Sequence, residues 1–154
     1  MLNRHNYWID LGKAYQFTGN EKYAKVWVQQ LTDWVKKNKV DDLSLRSLSW
    51  RRIEAGIRCE NWIKSFEYFK HSKQITPEFF GMFLQSLYEH GQYINQSFSD
   101  FSKTSNWGIL EYQGLLNVAV FMPEFKIADT WQNDAVRKLD VCAALQVLPD
   151  GTQW

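Results

Sequence analysis

The sequence has little of what marks several large protein classes. Its 154 residues include only two cysteines, Cys59 and Cys142, whose spacing predicts neither a disulfide framework nor a metal site. The longest apolar run, Val118–Met122, is too short to cross a bilayer, and a net charge of +1 gives no field that would attract nucleic acid or anionic membranes. No P-loop, GxGxxG or HExxH motif occurs, so no cofactor is expected. We therefore expect one globular unit without nucleic-acid or membrane partners.

Aromatic residues and helical periodicity dominate what is present. Phe, Trp and Tyr make up 16% of the residues, which is typical of a well-filled helical interior. Because most large aromatics are buried, we expect only about one or two of the Trp side chains to stack on a sugar. Apolar residues recur at a spacing of three to four. This spacing predicts helices at 4–17, 21–37, 50–70, 76–95, 107–121 and 126–148, a polar connection at 38–49, a loop at 96–105 and a turn at 149–151.

Capping residues support these boundaries. Gly19 is placed to end the first helix, and Asn20 is placed to cap the second. In Thr76-Pro77-Glu78, Thr is a cap, Pro fits the first turn and Glu favours the positive end of the helix dipole. The predicted fold is all-α, built from consecutive antiparallel helical hairpins. Such hairpins form either an open solenoid or an α/α toroid.

One face of the helix predicted at 50–70 is polar. Its row consists of Arg51, Glu54, Arg58, Asn61 and Ser65. One interpretation is a solvated outer face carrying weak ion pairs. The other is a face lining a central cavity, where arginines bind a carboxylate or sulfate with two parallel hydrogen bonds. The spacing alone leaves both open.

A second polar row follows the stretch Ser105-Asn106-Trp107-Gly108. It consists of Asn106, Gln113 and Asn117, with Glu111 and Tyr112 beside it. Buried amides need partners, which either neighbouring helices or a polar ligand supplies. Asn106 is a good helix cap, and an amide beside an aromatic ring is also suited to hold a sugar carboxylate. His5, His71 and His90 are scattered and are interpreted as histidines near helix ends.

Four stretches of the sequence resemble a known protein family, and they occur in the same order as in that family. They are Leu2-Asn3-Arg4-His5 with its continuation to residue 24, Trp50–Arg58 with Asn61-Trp62, Ser105-Asn106-Trp107-Gly108, and Leu148-Pro149-Asp150-Gly151-Thr152-Gln153. Together they resemble the N-terminal toroid of heparinase II/III-type polysaccharide lyases, and within them the heparan-sulfate lyases of the heparinase III type. The resemblance runs across essentially the whole chain.

The resemblance implies β-elimination on a uronic-acid polysaccharide, a heparan sulfate-like glycosaminoglycan. Asn106 matches the family's carboxylate-neutralising Asn, whereas the catalytic Tyr is expected beyond Trp154 and the catalytic His is not placed. Residues 1–154 are therefore expected to be a partial toroid domain of a larger enzyme, inactive alone, and periplasmic or secreted, although residues 1–5 show no signal peptide. The residues expected to bind substrate are Arg51, Glu54, Arg58, Asn61, Trp107, Glu111, Gln113 and Asn117.

Two other functions fit the sequence pattern. A glycoside hydrolase on an α/α toroid needs two carboxylates across a glycosidic bond, and Glu54 and Glu111 are the candidates. A non-enzymatic helical-repeat scaffold would bind a protein through its concave face and would point its polar rows to bulk solvent.

Overall fold

The structure is a computed structural model that describes residues 2–40 and 48–153. This part of the chain contains seven α-helices and no strand. The helices are α1 (Tyr7–Thr18), α2 (Glu21–Lys37), α3 (Arg52–Phe69), α4 (Pro77–Asn95), α5 (Asp100–Thr104), α6 (Asn106–Phe121) and α7 (Ala128–Gln146). Two 3-10 turns, Leu2–Arg4 and Leu48–Trp50, precede α1 and α3. Of these helices, none combines the length and apolarity that a membrane span requires.

The caps predicted at Gly19, Asn20 and Thr76 are confirmed. Gly19 ends α1 with a φ of 63°, a conformation that glycine adopts without steric cost. The Asn20 side chain accepts a hydrogen bond of 3.0 Å from the backbone N–H of Lys22. Thr76 caps α4 in the same way through Phe79, at 3.2 Å. Local sequence chemistry therefore defines these helix ends.

Three predicted boundaries differ from the structure. The helix expected at 4–17 is interrupted because His5 has a φ of 55°, so α1 begins only at Tyr7. The loop expected at 96–105 contains α5, which Ser99 caps and which at five residues is too short to show a helical repeat. In the predicted connection at 38–49, residues 41–47 lie outside the described residues, and 48–50 form a 3-10 turn. The turn at 149–151 is present, with Gly151 at a φ of 84°.

The helices form two groups that run in opposite directions. Helices α3 and α6 are parallel, because Arg51 meets Trp107 near their first turns and Phe66 meets Phe121 towards their ends. Helix α1 is parallel to α3, since Trp8 packs on Trp62 and Gly12 on Tyr68. Helices α2, α4 and α7 return in the opposite direction, each paired with the helix before it in the predicted hairpins. The starts of α3 and α6 therefore lie at one end of the molecule, whereas α1 begins beside Trp62 in the second half of α3.

Glycine allows α3 and α6 to touch through their backbones. A Cβ atom on Gly56 would lie 2.3 Å from the carbonyl oxygen of Leu110, and one on Gly114 would lie 2.4 Å from Cα of Gly56. Real side chains do not tolerate such distances, so larger residues would push the helices apart. This close approach fixes the relative position of the two helix starts.

The core is aromatic, as predicted. Six of the seven Trp residues in the described chain are buried, namely Trp8, Trp27, Trp34, Trp50, Trp62 and Trp131. Cys59 and Cys142 are also buried, free and far from each other in the sequence. Trp107 is the one described Trp that stays partly exposed. It is therefore the candidate for sugar stacking.

Candidate functional site

The four sequence stretches meet at the end of the molecule where α3 and α6 begin. Arg4, in the first stretch, forms an ion pair with Glu54 in the second, with Nε and Oε2 3.0 Å apart. Arg51, also in the second, places its guanidinium 5.6 Å from the ring centre of Trp107 in the third. Gln153, in the fourth, donates a hydrogen bond to Gln146 at the end of α7. Sequence segments more than forty residues apart thus build one surface.

The polar row of α3 is neither a solvated face nor the lining of a cavity. Glu54, Arg58, Asn61 and Ser65 are all at least nine-tenths buried, because other parts of the protein cover them. The Asn61 amide donates to the carbonyl of Arg4 at 2.8 Å, and the Ser65 hydroxyl accepts from the indole of Trp27 at 3.1 Å. Both interpretations were therefore wrong for these four residues, whereas Arg51, the first of the row, stays exposed. The row attaches the N-terminal segment to the core.

Arg58 is the most enclosed member of this row. Its Nη1 atom donates to the carbonyls of Asn3 and Ser49, at 3.1 and 2.8 Å, and its Nε donates to Nε2 of His90 at 2.8 Å. The guanidinium also lies 4.1 Å from the ring centre of Trp34, a distance suited to a cation–π interaction. Arg58 therefore ties both 3-10 turns and α4 together, and it lacks the exposure that a direct substrate contact needs.

Glu54 and the two arginines beside it form a partly exposed basic cluster. Burial raises the pKa of Glu54, but the hydrogen bonds and charges of Arg4 and Arg51 outweigh it, so the pKa lies below its usual value. The carboxylate is thus ionised and neutralises one of the two positive charges. The Arg51 side chain is 45% exposed and the Arg4 side chain 32%. The cluster leaves one surplus positive charge at the surface, next to Trp107.

Asn106 lies at the start of α6, but it does not cap the helix. Ser105 is the N-cap residue, and it makes no side-chain capping hydrogen bond. The Asn106 side chain is exposed and has no hydrogen-bond partner in the described part of the chain. It lines an open cavity of about 430 Å³ together with Thr104, Ser105, Gln146 and Gln153. We name these five residues and their cavity the α6 corner.

The rest of the second polar row runs along α6 away from this corner. Gln113 and Asn117 lie 7 and 11 residues beyond Asn106. At 3.6 residues per turn these steps are close to two and three full turns, so the three residues share one face of α6. Gln113 and Asn117 are both half-buried, and neither side chain has a hydrogen bond among the described residues. Neighbouring helices in residues 2–40 and 48–153 thus do not satisfy these amides. Glu111 lies on the opposite, buried face.

Glu111 is held inside the protein. Its Oε2 accepts a hydrogen bond of 3.2 Å from the Ser102 hydroxyl, and the residue is 3% exposed. Burial raises the pKa of Glu111, while Ser102 and the charge of Arg52 partly oppose the shift. Neither Glu111 nor Glu54 therefore presents an open carboxylate to a glycosidic bond. The buried α3 row also disagrees with the solvent-facing polar rows expected of a scaffold.

His90 differs from the helix-end interpretation, whereas His5 lies directly before the N-cap residue of α1. His5 is buried before α1 and accepts a hydrogen bond from the indole of Trp62 at 2.9 Å. His90 lies inside α4, where its Nδ1 is 2.6 Å from the carbonyl of Ser86. Burial and the charge of Arg58 lower the pKa of His5 to about 3 and that of His90 well below its ordinary value. His71, just after α3, is exposed as expected.

Gln146 and Gln153 were not predicted from the sequence as site residues. Gln146 is buried on the inner stripe of α7, where it follows Trp131, Ala135, Lys138 and Cys142 at a spacing of three to four. A polar residue in phase with an apolar stripe was the signal that could have identified it. Among the described residues no three His, Cys, Asp or Glu side chains lie close enough together to hold a metal ion.

Comparison with known proteins defines the class of this arrangement. The crystal structure of heparinase III superposes with a TM-score of 0.90 at 28% identity, over 99% of this chain and 23% of that one. The crystal structure of heparan sulfate lyase from Pedobacter heparinus gives 0.85 at 30% identity, over 99% and 24%. The predicted fold class, all-α hairpins forming part of an α/α toroid, is thereby confirmed.

The sequence comparisons identify the family. The model of the heparinase II/III N-terminus matches residues 1–154, and the chain belongs to this family. The heparin-sulfate lyase of Bacteroides stercoris is 32% identical over 170 residues, which cover 99% of this chain and 25% of the relative. That of Pedobacter heparinus is 30% identical over 154 residues, covering 99% and 23%. The chain thus spans about a quarter of the length of these curated relatives.

Proposed function

We propose that the complete protein is a polysaccharide lyase that cleaves a heparan sulfate-like glycosaminoglycan by β-elimination, in the periplasm or after secretion. Family membership supports the reaction class, and the names of the relatives support the substrate. Residues 1–154 form part of its toroid domain. The surplus positive charge beside Trp107 is consistent with an anionic chain as substrate.

The chemistry requires neutralisation of the uronate carboxylate. A base removes the C5 proton, the C4–C5 double bond forms, and the C4–O4 bond breaks as an acid protonates the leaving oxygen. Negative charge develops on the carboxylate as the C5 proton leaves, so a fixed donor at that carboxylate stabilises the transition state. Asn106 supplies this donor. The single observation that carries the proposal is its unpartnered, exposed amide at a helix start beside the polar cavity.

The other predicted residues divide by exposure. Arg51 and Trp107 are accessible and adjacent, so they contact the sugar and its acidic groups. Gln113 and Asn117 extend the same α6 face as unpartnered amides. Glu54, Arg58, Asn61 and Glu111 support the surface from inside instead of touching the substrate. This division revises the set of substrate contacts drawn from the sequence.

The base and acid of the reaction belong to the complete protein. None of the seven Tyr residues matches the catalytic Tyr that the family resemblance implies. Residues 1–154 alone are therefore expected to produce no unsaturated product. Their contribution is the carboxylate-neutralising amide and part of the substrate cleft.

The test is to incubate the complete protein with heparan sulfate and follow the ultraviolet absorbance of the unsaturated uronate. The absorbance should rise with the complete protein and stay flat with residues 1–154. Carboxyl-reduced heparan sulfate is the matched control substrate, and it should give no product because its C5 proton is not acidified. New reducing ends without the absorbance would instead show a hydrolase and contradict the proposal.

A further inference from the structure

One buried side chain connects the residue before Asn106 to the chain that follows α7. Gln146 is the last residue of α7 and is 2% exposed. Its Nε2 atom donates to the carbonyls of Lys103 and Ser105, at 3.0 and 3.1 Å. Its Oε1 atom accepts from Nε2 of Gln153 at 3.1 Å. All the hydrogen-bonding groups of one amide are thus used at the α6 corner.

These bonds fix the direction in which the Asn106 side chain projects from the backbone. The Ser105 carbonyl belongs to the peptide unit that joins Ser105 to Asn106, so a bond to that carbonyl holds this peptide plane. The Ser105 hydroxyl cannot do so, because it is buried without a hydrogen-bond partner among the described residues. The Asn106 side chain has no partner of its own there either. Its direction therefore depends on the backbone, whose Ser105 carbonyl accepts from Gln146 and, at 3.2 Å, from the N–H of Gly108 at the start of α6.

The surrounding packing leaves α5 little freedom to compensate. A Cβ atom on Gly108 would lie 1.9 Å from the carbonyl oxygen of Ser102, so the start of α6 rests directly on α5. The Cys142 thiol, one turn before Gln146, lies 3.5 Å from the same carbonyl. Helix α7 thus contacts α5 through Cys142 and the α5–α6 junction through Gln146. A shift at Gln146 would be transmitted to Asn106.

We propose that Gln146 is a positioning residue for the uronate-neutralising amide of Asn106. This role rests on the proposed function, because only a uronate substrate supplies the carboxylate that Asn106 would bind. Through Gln153, the same amide also couples the position of Asn106 to the turn at 147–153. Gln146 touches no substrate. It orients the group that does.

The experiment uses Gln146→Met in the complete protein, with heparan sulfate as substrate. Met keeps the length of the side chain but cannot donate to the two carbonyls. We expect kcat to fall roughly 10- to 100-fold, because a small misplacement of an oriented group has effects of this size. KM should change by less than about 3-fold, because Asn106 acts mainly in the transition state. Gln132→Met, an exposed position on the same helix, is the matched control and should keep the wild-type kcat.

A double-mutant cycle separates positioning from a general structural role. If Gln146 acts through Asn106, adding Gln146→Met to Asn106→Ala should not lower kcat further. The assay uses enough enzyme to measure the residual rate of Asn106→Ala. An equal loss in both backgrounds, or a wild-type kcat for Gln146→Met, would overturn the inference and leave the proposed function standing. A wild-type kcat for Asn106→Ala would overturn both.

A second variant tests the same inference if Gln146→Met does not fold. Gln146→Asn keeps the amide but is one methylene shorter, so its donors cannot reach both carbonyls, and it carries the same prediction for kcat and for the cycle. Its melting temperature, and that of Gln153→Ala, should stay within about 5 °C of the wild type. Gln153→Ala removes the bond to the turn but leaves both donors of Gln146 in place, so its kcat should fall by less than that of Gln146→Met.

Discussion

The polar row of α3 and the α6 corner use similar residues in opposite ways. Arg58 donates to two backbone carbonyls and to His90, Asn61 donates to a third carbonyl, and both side chains are closed off from solvent. Asn106 has no hydrogen-bond partner in the described chain and faces an open cavity. The first arrangement stabilises a fold, and the second leaves a donor for a ligand. Residue type and spacing therefore do not separate structural from functional polar groups, but burial does.

The largest expected difference is in stability. Arg58→Met leaves two carbonyls and His90 without their donor inside the protein, so the free energy of unfolding should fall by about 3–5 kcal/mol. Asn106→Ala removes no hydrogen bond and should change it by less than about 0.5 kcal/mol. Urea unfolding of both variants measures the difference. Equal losses of unfolding free energy in the two variants would contradict the distinction between the structural α3 row and the α6 corner.

Arg137→Met controls for the chemistry of the substitution. Arg137 lies on α7 with its side chain 61% exposed, and among the described residues it pairs with Asp134 three residues earlier. Exposed pairs of this kind contribute little to stability. This variant should therefore unfold at nearly the wild-type urea concentration. A loss as large as that of Arg58→Met would mean that burial is not the cause.

A smaller effect should appear in the pH dependence of stability. The pKa of His5 is about 3 in the folded chain, below its ordinary value of 6.5, so the unfolded chain binds the proton first as the pH falls. Stability should therefore be lost below about pH 6.5, by up to about 1.4 kcal/mol per pH unit for each buried histidine. His90, with a pKa lowered in the same direction, adds to this loss.

The measurement is urea unfolding at about pH 7 and about pH 5.5, above the range where most carboxylates titrate. His5→Gln should reduce the loss between the two values, because Gln keeps an acceptor for the Trp62 indole without binding a proton. Asn106→Ala should keep the wild-type pH dependence, since the α6 corner lies apart from both histidines. A pH-independent wild type would contradict the buried neutral histidines.

Much of the fold followed from local chemistry. Gly19, Asn20 and Thr76 define helix ends through their own backbone geometry or side-chain bonds, so the printed sequence was enough to place them. The parallel packing of α3 on α6 did not follow, because it depends on a contact between Gly56 and Gly114 that are 58 residues apart. The break at His5 was missed for a similar reason, since its conformation is stabilised by contacts with distant residues such as Trp62.

The candidate site was only partly predictable. Asn106 and Trp107 came from the family resemblance, and the structure places both at the end where the four stretches meet. The burial of Arg58 could not be predicted, because the carbonyls it binds belong to segments 55 and 9 residues away in the sequence. Gln146 was missed because its partners lie across the fold on the α5–α6 junction.

The most direct test of the central claim is the kcat of Asn106→Ala in the complete protein acting on heparan sulfate. Asn133→Ala, an exposed position on α7, is the matched control. The account predicts a fall in kcat of roughly 100- to 1,000-fold, the usual effect of losing a donor to developing charge, with an unchanged melting temperature. A kcat equal to that of Asn133→Ala would contradict it.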